Sequence, residues 1–152
     1  MKRKYELTDE IIWWGYKVYR IRALRSFGDV KAGDLGGLIA CEKNLSHIGG
    51  CWIYDNALIS ENANISGNAR VYGNVLILEN ARIGGNARIG EDTQVFIYGD
   101  AQVYGDAYVY GLSHTMHLRG HMRLDRGVWN QTIEIGGILY IVSSTLEKVL
   151  VG

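Results

Sequence analysis

The feature that most constrains the fold of this chain is a six-residue repeat that runs from Asp55 to Gly111. Each unit begins with asparagine or aspartate and continues with a small residue, a variable residue, an aliphatic residue and two turn residues. Residues 80–83 and 86–89, both Asn-Ala-Arg-Ile, are consecutive examples. Such a fixed short period indicates a solenoid in which each unit stacks on its neighbours.

The spacing within a unit predicts short strands separated by corners. The small and the aliphatic residue are two positions apart, so on a strand both side chains point to the same side. With 20 glycines and no proline, the corners must depend on Gly, Asn and Asp. The asparagines are predicted to satisfy corner backbones and to stack coil on coil. The result is a triangular parallel β-helix with about eighteen residues per coil.

Residues 83–88 (Ile-Gly-Gly-Asn-Ala-Arg) and 89–94 (Ile-Gly-Glu-Asp-Thr-Gln) resemble the hexapeptide repeats of left-handed β-helix proteins. This resemblance implies an all-β, left-handed parallel β-helix. Essentially the whole chain is also similar to an uncharacterised family of phage and prophage repeat proteins, which implies a phage-type protein and supplies no catalytic residue. The segments that carry the second similarity are 27–37, 42–46, 51–57 and 143–148.

Non-repeating segments flank the repeat on both sides. Residues 1–37 are predicted to form an N-terminal β-hairpin and a turn-rich transition, residues 38–130 the β-helix, and residues 131–152 a C-terminal β-hairpin. The ends of a solenoid expose strand edges that must be covered. We therefore expect the first hairpin to cover the open end of the repeat, and both hairpins to pack together as one small β cap.

Counting in sixes predicts which residues point inward outside the clearest repeats. Two residues are inserted after Val95, and a slip of three residues follows Val109. On this count His47 is a hydrogen-bonded core histidine. The predicted inward pairs are Ile39/Cys41, Leu45/His47, Cys51/Ile53, Met116/Leu118 and Met122/Leu124.

Outward residues about eighteen positions apart stack on one side of the predicted prism, which therefore has three faces. Face one is the most apolar. Such a stripe is rare on monomers, so we expect an oligomer interface, and a three-sided prism packs naturally about a three-fold axis as a homotrimer. The alternative is that a terminal segment folds back over it. Face one comprises Leu58, Ser60, Leu76, Leu78, Gln94 and Phe96.

Face three combines arginines with aromatic rings, whereas face two is expected to be solvated. An Arg–aromatic surface can stack planar groups and pair with phosphates or carboxylates, so we predict that it binds a ligand. The alternative is that these side chains only stack on one another. Face two comprises Asn64, Ser66, Arg82, Gly84, Gln102 and Tyr104. Face three comprises Trp52, Tyr54, Arg70, Tyr72, Arg88, Tyr108 and Tyr110, with Trp129 as an extension.

Histidines raise the question of catalysis, because the hexapeptide-repeat resemblance implies an acyltransferase with an interface histidine or a zinc hydratase. The chain contains His47, His114, His117 and His121. On strands their spacings do not bring three imidazoles to one metal, so we predict neither a metal site nor a cofactor. His117, outward beside face one, is a weak catalytic candidate. A structural or solvated His117 is the alternative.

Composition indicates the cellular context that we expect. The formal net charge is zero, which argues against long nucleic acid as a partner. Two cysteines make no disulfide framework, and the sequence shows neither an apolar signal segment nor a membrane span. We therefore expect a cytoplasmic protein without a membrane partner.

Together these patterns predict a non-catalytic, homotrimeric β-helix binding protein of phage type. Its partner would be a nucleotide-like small molecule, such as a host defence signal, or a host protein. Two alternatives stay open. One is an acyltransferase or metal-dependent enzyme that uses an interface histidine, and the other is a purely structural phage component.

Overall fold

The computed structural model describes residues 3–90, 94–110, 116–118, 123–126, 128–135, 138–143 and 148–150. Within these residues the regular structure is β, apart from one 3-10 turn at Glu42–Asn44. The strands are β1 (Tyr5–Trp13), β2 (Tyr16–Ala23), β3 (Leu35–Ile39), β4 (Trp52–Ile53), β5 (Leu58–Ile59), β6 (Asn64–Ile65), β7 (Arg70–Val71), β8 (Val75–Ile77), β9 (Arg82–Ile83), β10 (Arg88–Gly90), β11 (Val95–Ile97), β12 (Gln102–Val103), β13 (Tyr108–Tyr110), β14 (Met116–Leu118), β15 (Arg123–Leu124), β16 (Val128–Ile135), β17 (Ile138–Ser143) and β18 (Lys148–Leu150).

The short strands stack into three parallel sheets, which form the sides of a solenoid of about four turns. The first sheet runs β3-β5-β8-β11-β14, the second β4-β7-β10-β13-β16 and the third β6-β9-β12-β15. Residues that lie above one another are 18 positions apart between Asn68 and Asn86, and 20 apart between Asn86 and Asp106. The predicted all-β parallel β-helix is confirmed.

The core follows the spacing of small and aliphatic residues within each unit. Ala63 and Ala69 at the small position, and Ile65 and Val71 at the aliphatic position, are all 0% exposed. Neighbouring coils lie about 4.8 Å apart in such a stack, so equivalent side chains form continuous apolar columns. Each coil therefore depends on its neighbours for burial of its core residues.

The corners place residues in the left-handed backbone region directly before asparagine. Glu61 has a φ of 57° and precedes Asn62, and Glu79 has a φ of 59° and precedes Asn80. Asn62 Nδ2 donates to Asn80 Oδ1 at 3.4 Å, and Asn80 Nδ2 donates to Asp100 Oδ1 at 3.3 Å. The predicted stacking of corner asparagines is confirmed.

The two terminal hairpins extend different sheets. β1 and β2 are antiparallel and join the first sheet beside β3, whereas β16, β17 and β18 are antiparallel to one another and prolong the second sheet beyond β13. The hairpins therefore lie beside the first and the last coil. The prediction that they form one joint cap is wrong, because each end of the solenoid has strand edges of its own to cover.

Both sides of the N-terminal hairpin pack against the solenoid, one against the core and the other against face one. Ile21 and Ala23 pack into the solenoid core and close its open end, as predicted. Val18, on the other side of β2, is buried against Leu38 and Leu58 on face one. The pairing of β1 with β2 contains a register shift of the kind that bends a strand pair, which is consistent with this fold-back.

Strand pairing differs from the six-residue count at two places. Leu45 bridges to Ile65 and so occupies an aliphatic position, which places extra residues that the count did not include in the corner 46–50. His47 lies in that corner rather than in the core, and the predicted pairs Leu45/His47 and Ile39/Cys41 are wrong. Val95 pairs with Val75, so the second insertion precedes Val95 instead of following it.

The later coils agree with the predicted three-residue slip. Met116 and Leu118 pair with Val95 and Ile97, which confirms the slip, whereas Met122 lies outside the described residues. On the second sheet Val128 is in register with Tyr108, and the backbone of Trp129 is in register with Val109. The side chain of Trp129, the predicted extension of face three, lies outside what the structure describes.

Candidate functional site

The Arg–aromatic surface predicted as face three lies on the second sheet. Arg70 of β7, Arg88 of β10 and Tyr108 of β13 are aligned in successive coils. Tyr72 follows two residues after Arg70, on the same side. We call Arg70, Tyr72, Arg88 and Tyr108 the Arg–Tyr ladder. The backbone of Tyr110 continues β13, and its side chain is not among those described.

The N-terminal segment removes Trp52 from this surface. Trp52 pairs with Arg70 in the predicted register, but it is 1% exposed. The ring centroid of Phe27 lies 5.3 Å from that of Trp52, and the Tyr5 centroid lies 6.4 Å away, both in edge-on geometry. Trp52 is therefore a core residue and not part of a ligand-binding surface as predicted, because the segment after β2 closes over its ring.

Arg70 is held by the same segment. Its Nη1 lies 3.4 Å from Asp29 Oδ1, and Tyr54 Oη donates to that oxygen at 2.8 Å. Burial, reinforced by this hydrogen bond, raises the pKa of Tyr54, so the phenol keeps the proton that it donates. Arg70 thus has a carboxylate partner within the protein, and its charge is partly neutralised.

The hydroxyl groups of Tyr72 and Tyr108 contact each other past Gly90, which lies in the coil between them. Tyr72 Oη donates to Tyr108 Oη at 3.3 Å, and the Tyr72 ring meets that of Tyr54 edge-on at 6.1 Å between centroids. A Cβ on Gly90 would lie 2.6 Å from the Tyr72 ring and closer still to the Tyr72 carbonyl oxygen. Glycine at position 90 therefore allows the tyrosines to form one aromatic row. Both Tyr72 and Tyr108 remain partly exposed.

Arg88 is an exposed cation of the ladder whose guanidinium has no hydrogen bond or ion pair with the described part of the chain. Two open grooves adjoin it. One, of 370 Å³, is shared with Arg70 and Asn68, and the other, of 260 Å³, is shared with Asp106 and Tyr108. An anionic group can therefore pair with Arg88 while an attached ring contacts Tyr108.

Face one is divided by the N-terminal hairpin. Leu58 is 4% exposed and packs against Val18, so the fold-back alternative holds at this end of the face. Leu76, Leu78 and Phe96 are all partly exposed, and Phe96 is in register with Leu76. The predicted trimer interface is thereby narrowed to these three residues, and trimerisation itself stays a prediction.

The catalytic candidate His117 lies on β14 of the first sheet, the sheet that also carries face one. Its backbone pairs with that of Phe96, while its side chain, together with all of His114 and His121, is outside what the structure describes. Among the residues that are described, His, Cys, Asp and Glu form no group of three or more able to hold a metal. No helix in those ranges has the length and apolar character needed to cross a membrane.

A buried polar cluster near the N-terminus was not predicted from the sequence. Lys4 is 0% exposed, and its Nζ donates to Cys51 O at 2.7 Å, to Cys51 Sγ at 3.1 Å and to Gly49 O at 3.3 Å. The Lys4 backbone N–H donates to His47 Nδ1 at 3.1 Å, and the His47 ring stacks on Tyr5 with centroids 4.1 Å apart. A lysine among other basic residues carries no sequence signal for burial.

Comparison with known proteins supports the repeat architecture. Residues 63–79 match the family model described as the YdcK β-solenoid repeat. This segment contains β6, β7 and β8, where the small and aliphatic residues alternate around the core. No curated protein matches the chain. The match and the stacked parallel sheets together identify the chain as a β-solenoid repeat protein.

Proposed function

We propose that this β-solenoid is a non-catalytic binding protein whose ligand carries an aromatic ring and one anionic group. The observation that carries the proposal is Arg88, whose exposed guanidinium is unpaired within the described structure and lies between two grooves. A free guanidinium presents paired N–H donors that match phosphate or carboxylate oxygens. Tyr108, in the next coil, supplies an aromatic ring beside it.

The charges around Arg88 favour a single anionic group over a long polyanion. Arg70 already lies against Asp29, and Asp106 lines the groove on the other side of Arg88. A nucleic-acid strand that followed the ladder would meet both carboxylates and be repelled by them. A nucleotide-like small molecule needs one cation for its phosphate and one aromatic surface for its base.

The proposed protein is a homotrimer of phage type. The phage setting rests on the sequence resemblance, and sequestration of a host nucleotide signal is the use that this setting favours. Support for self-association comes from Leu76, Leu78 and Phe96, the apolar residues of face one that stay partly exposed, although Leu76 and Leu78 also pack against the cluster that contains Val18. Apolar side chains grouped in this way on a surface favour contact with a partner.

The test titrates the purified full chain with adenosine monophosphate, and separately with adenosine and inorganic phosphate as half-ligands. We expect the whole nucleotide to bind more tightly than either half-ligand, because it engages Arg88 and Tyr108 together. Arg88→Ala should weaken nucleotide binding roughly 10- to 100-fold, the range for loss of a charge-assisted hydrogen bond of about 1.5–3 kcal/mol.

Arg82→Ala is the matched control, because Arg82 is also exposed and outward but lies on the third sheet. It should bind the nucleotide like the wild type. Equal weakening in both variants would show a general effect of net charge. The proposal is overturned by that result, or by a wild-type protein that neither binds the nucleotide nor carries a co-purified small molecule in native mass spectrometry.

A further inference from the structure

A lysine of the N-terminal segment and a cysteine of the first coil are in direct contact, and both are fully buried. Lys4 Nζ lies 3.1 Å from Cys51 Sγ, and each residue is 0% exposed. The contact joins the N-terminal segment to the residue directly before β4, across 47 positions of sequence. The other contacts of the Lys4 amine in the described structure are two carbonyl oxygens and the ring of Phe27, 5.2 Å from its centroid.

The surroundings favour reaction between these two groups. Burial lowers the pKa of Lys4, which increases the fraction of neutral, nucleophilic amine. Peroxide oxidises a cysteine at its sulfur, and the Cys51 sulfur is the atom that Lys4 Nζ contacts. The pair lies beneath the exposed corner residues Ile48 and Gly49, so a peroxide molecule, which is similar in size to water, has one layer of residues to pass.

We propose that Lys4 and Cys51 form a peroxide-dependent covalent crosslink, a Nζ–O–Sγ bridge, that ties the N-terminal segment to the first coil. In the first step the Cys51 thiol and one hydrogen peroxide give the sulfenic acid and water: the O–O bond breaks and an S–O bond forms. In the second step the Lys4 amine, the sulfenic acid and a second peroxide give the bridge and two waters. The N–O bond forms, one N–H bond, the sulfenic O–H bond and the O–O bond of the second peroxide break, and the released hydrogens go to the two waters.

The electrons and atoms balance in this sequence. Sulfur and nitrogen each lose two electrons, and each peroxide accepts two electrons. Two equivalents of a dithiol reverse the reaction, giving the free amine, the free thiol, water and two disulfides.

The fixed position of Lys4 favours the three-atom bridge over a direct Nζ–Sγ bond. The Lys4 N–H donates to His47 Nδ1 at 3.1 Å, and the Lys4 carbonyl oxygen accepts from the Leu24 N–H at 2.8 Å. The backbone of this residue is therefore held on both sides. An inserted oxygen spans a gap close to the observed Nζ–Sγ contact, whereas a direct bond requires a much closer approach of the two atoms.

The experiment treats the wild-type protein with hydrogen peroxide and measures its intact mass, its peptide map and its thermal midpoint. We expect a mass gain of one oxygen atom less two hydrogen atoms, a peptide that joins Lys4 to Cys51, and loss of both on treatment with dithiothreitol. Closing a loop of 47 residues should raise Tm by roughly 10 °C, as a disulfide of that span would.

Cys41→Ser is the matched control, because Cys41 is the other free cysteine and is partly exposed, whereas Cys51 is buried. This variant should keep the crosslink, whereas Lys4→Met and Cys51→Ala should lose it. A wild-type protein that gains only oxygen atoms, that loses two hydrogen atoms without gaining oxygen, or that shows no joined peptide overturns the proposal. None of these measurements depends on the ligand-binding proposal.

Discussion

Replacing Gly85 by alanine tests whether close backbone stacking at the corners holds the coils together. Gly85 has a φ of +60° and lies between Gly67 and Gly105 in one corner stack. An added Cβ would lie 2.6 Å from the Gly105 nitrogen and 3.1 Å from the Gly105 Cα. These are backbone atoms, and the Gly105 carbonyl already accepts the Asn86 N–H at 2.7 Å, so they have little freedom to move away.

Two costs combine in Gly85→Ala. The left-handed backbone conformation costs an alanine about 1–2 kcal/mol. Overpacking against a fixed backbone adds about 1–3 kcal/mol. We therefore expect the free energy of unfolding to fall by about 2–5 kcal/mol, and Tm to fall by roughly 5–15 °C in a domain of this size.

Gly33→Ala separates the two costs. Gly33 has a φ of +94°, but a Cβ there meets nothing within 4 Å, so this variant carries the conformational cost alone. Urea denaturation of both variants and the wild type gives the comparison. If Gly85→Ala loses no more stability than Gly33→Ala, close stacking of the corner backbones is not what excludes a side chain from position 85.

Three other residues give separate tests. Asn44 is 0% exposed and hydrogen-bonds the backbones of Ala40, Cys41, Glu61 and Ala63 at 2.8–3.1 Å, so Asn44→Ala should cost about 3–5 kcal/mol in urea denaturation. The exposed corner variant Asn62→Ala should cost under about 1.5 kcal/mol, and equal losses would contradict this reasoning. Burial lowers the pKa of His47 below 6.5, so stability should be complete above pH 6.5 and decline as the pH falls towards the folded-state pKa. His47→Gln should flatten this decline in Tm, and an unchanged slope would assign it to other groups. Leu76→Glu should convert the proposed trimer into a monomer in light scattering, while Ile12→Glu, at a residue that is 62% exposed on the hairpin, should not. A monomeric wild type would refute the trimer.

The regular part of the solenoid could be predicted because every unit repeats the same inward spacing. The insertions could not be placed by counting, and the period of a strand explains why. Side chains alternate with a period of two, so a two-residue insertion leaves each residue on its original side. Val95 is inward whether the extra residues precede or follow it, and only pairing with Val75 decides. The prediction for His47 is wrong for a related reason. The six-residue count treats corner residues as strand residues, and it therefore assigns His47 to an inward position.

The alignment of the Arg–Tyr ladder was also predictable, whereas the covering of its first coil was not. Arg70 and Arg88 align because they occupy equivalent positions of the repeat. Trp52 occupies the same column, but Phe27 packs against it from a segment that lacks the repeat. Contacts between a non-repeating loop and a repeat produce no periodic signal in the sequence. The loss of Trp52 from the surface therefore required the three-dimensional structure.

The N-terminal segment determines where both predicted surfaces begin. It covers Trp52, pairs Arg70 with Asp29 and buries Leu58 beneath Val18, so the uncovered parts of faces one and three both start beyond the first coil. Arg88 lies one coil further along the second sheet than Arg70, which accounts for its free guanidinium. A change that released the N-terminal segment would expose Trp52 and free Arg70, and would therefore enlarge the cationic and aromatic surface. The Lys4–Cys51 contact holds this segment in place, and its oxidation would fix the ladder in the form in which Arg88 is the unpaired cation.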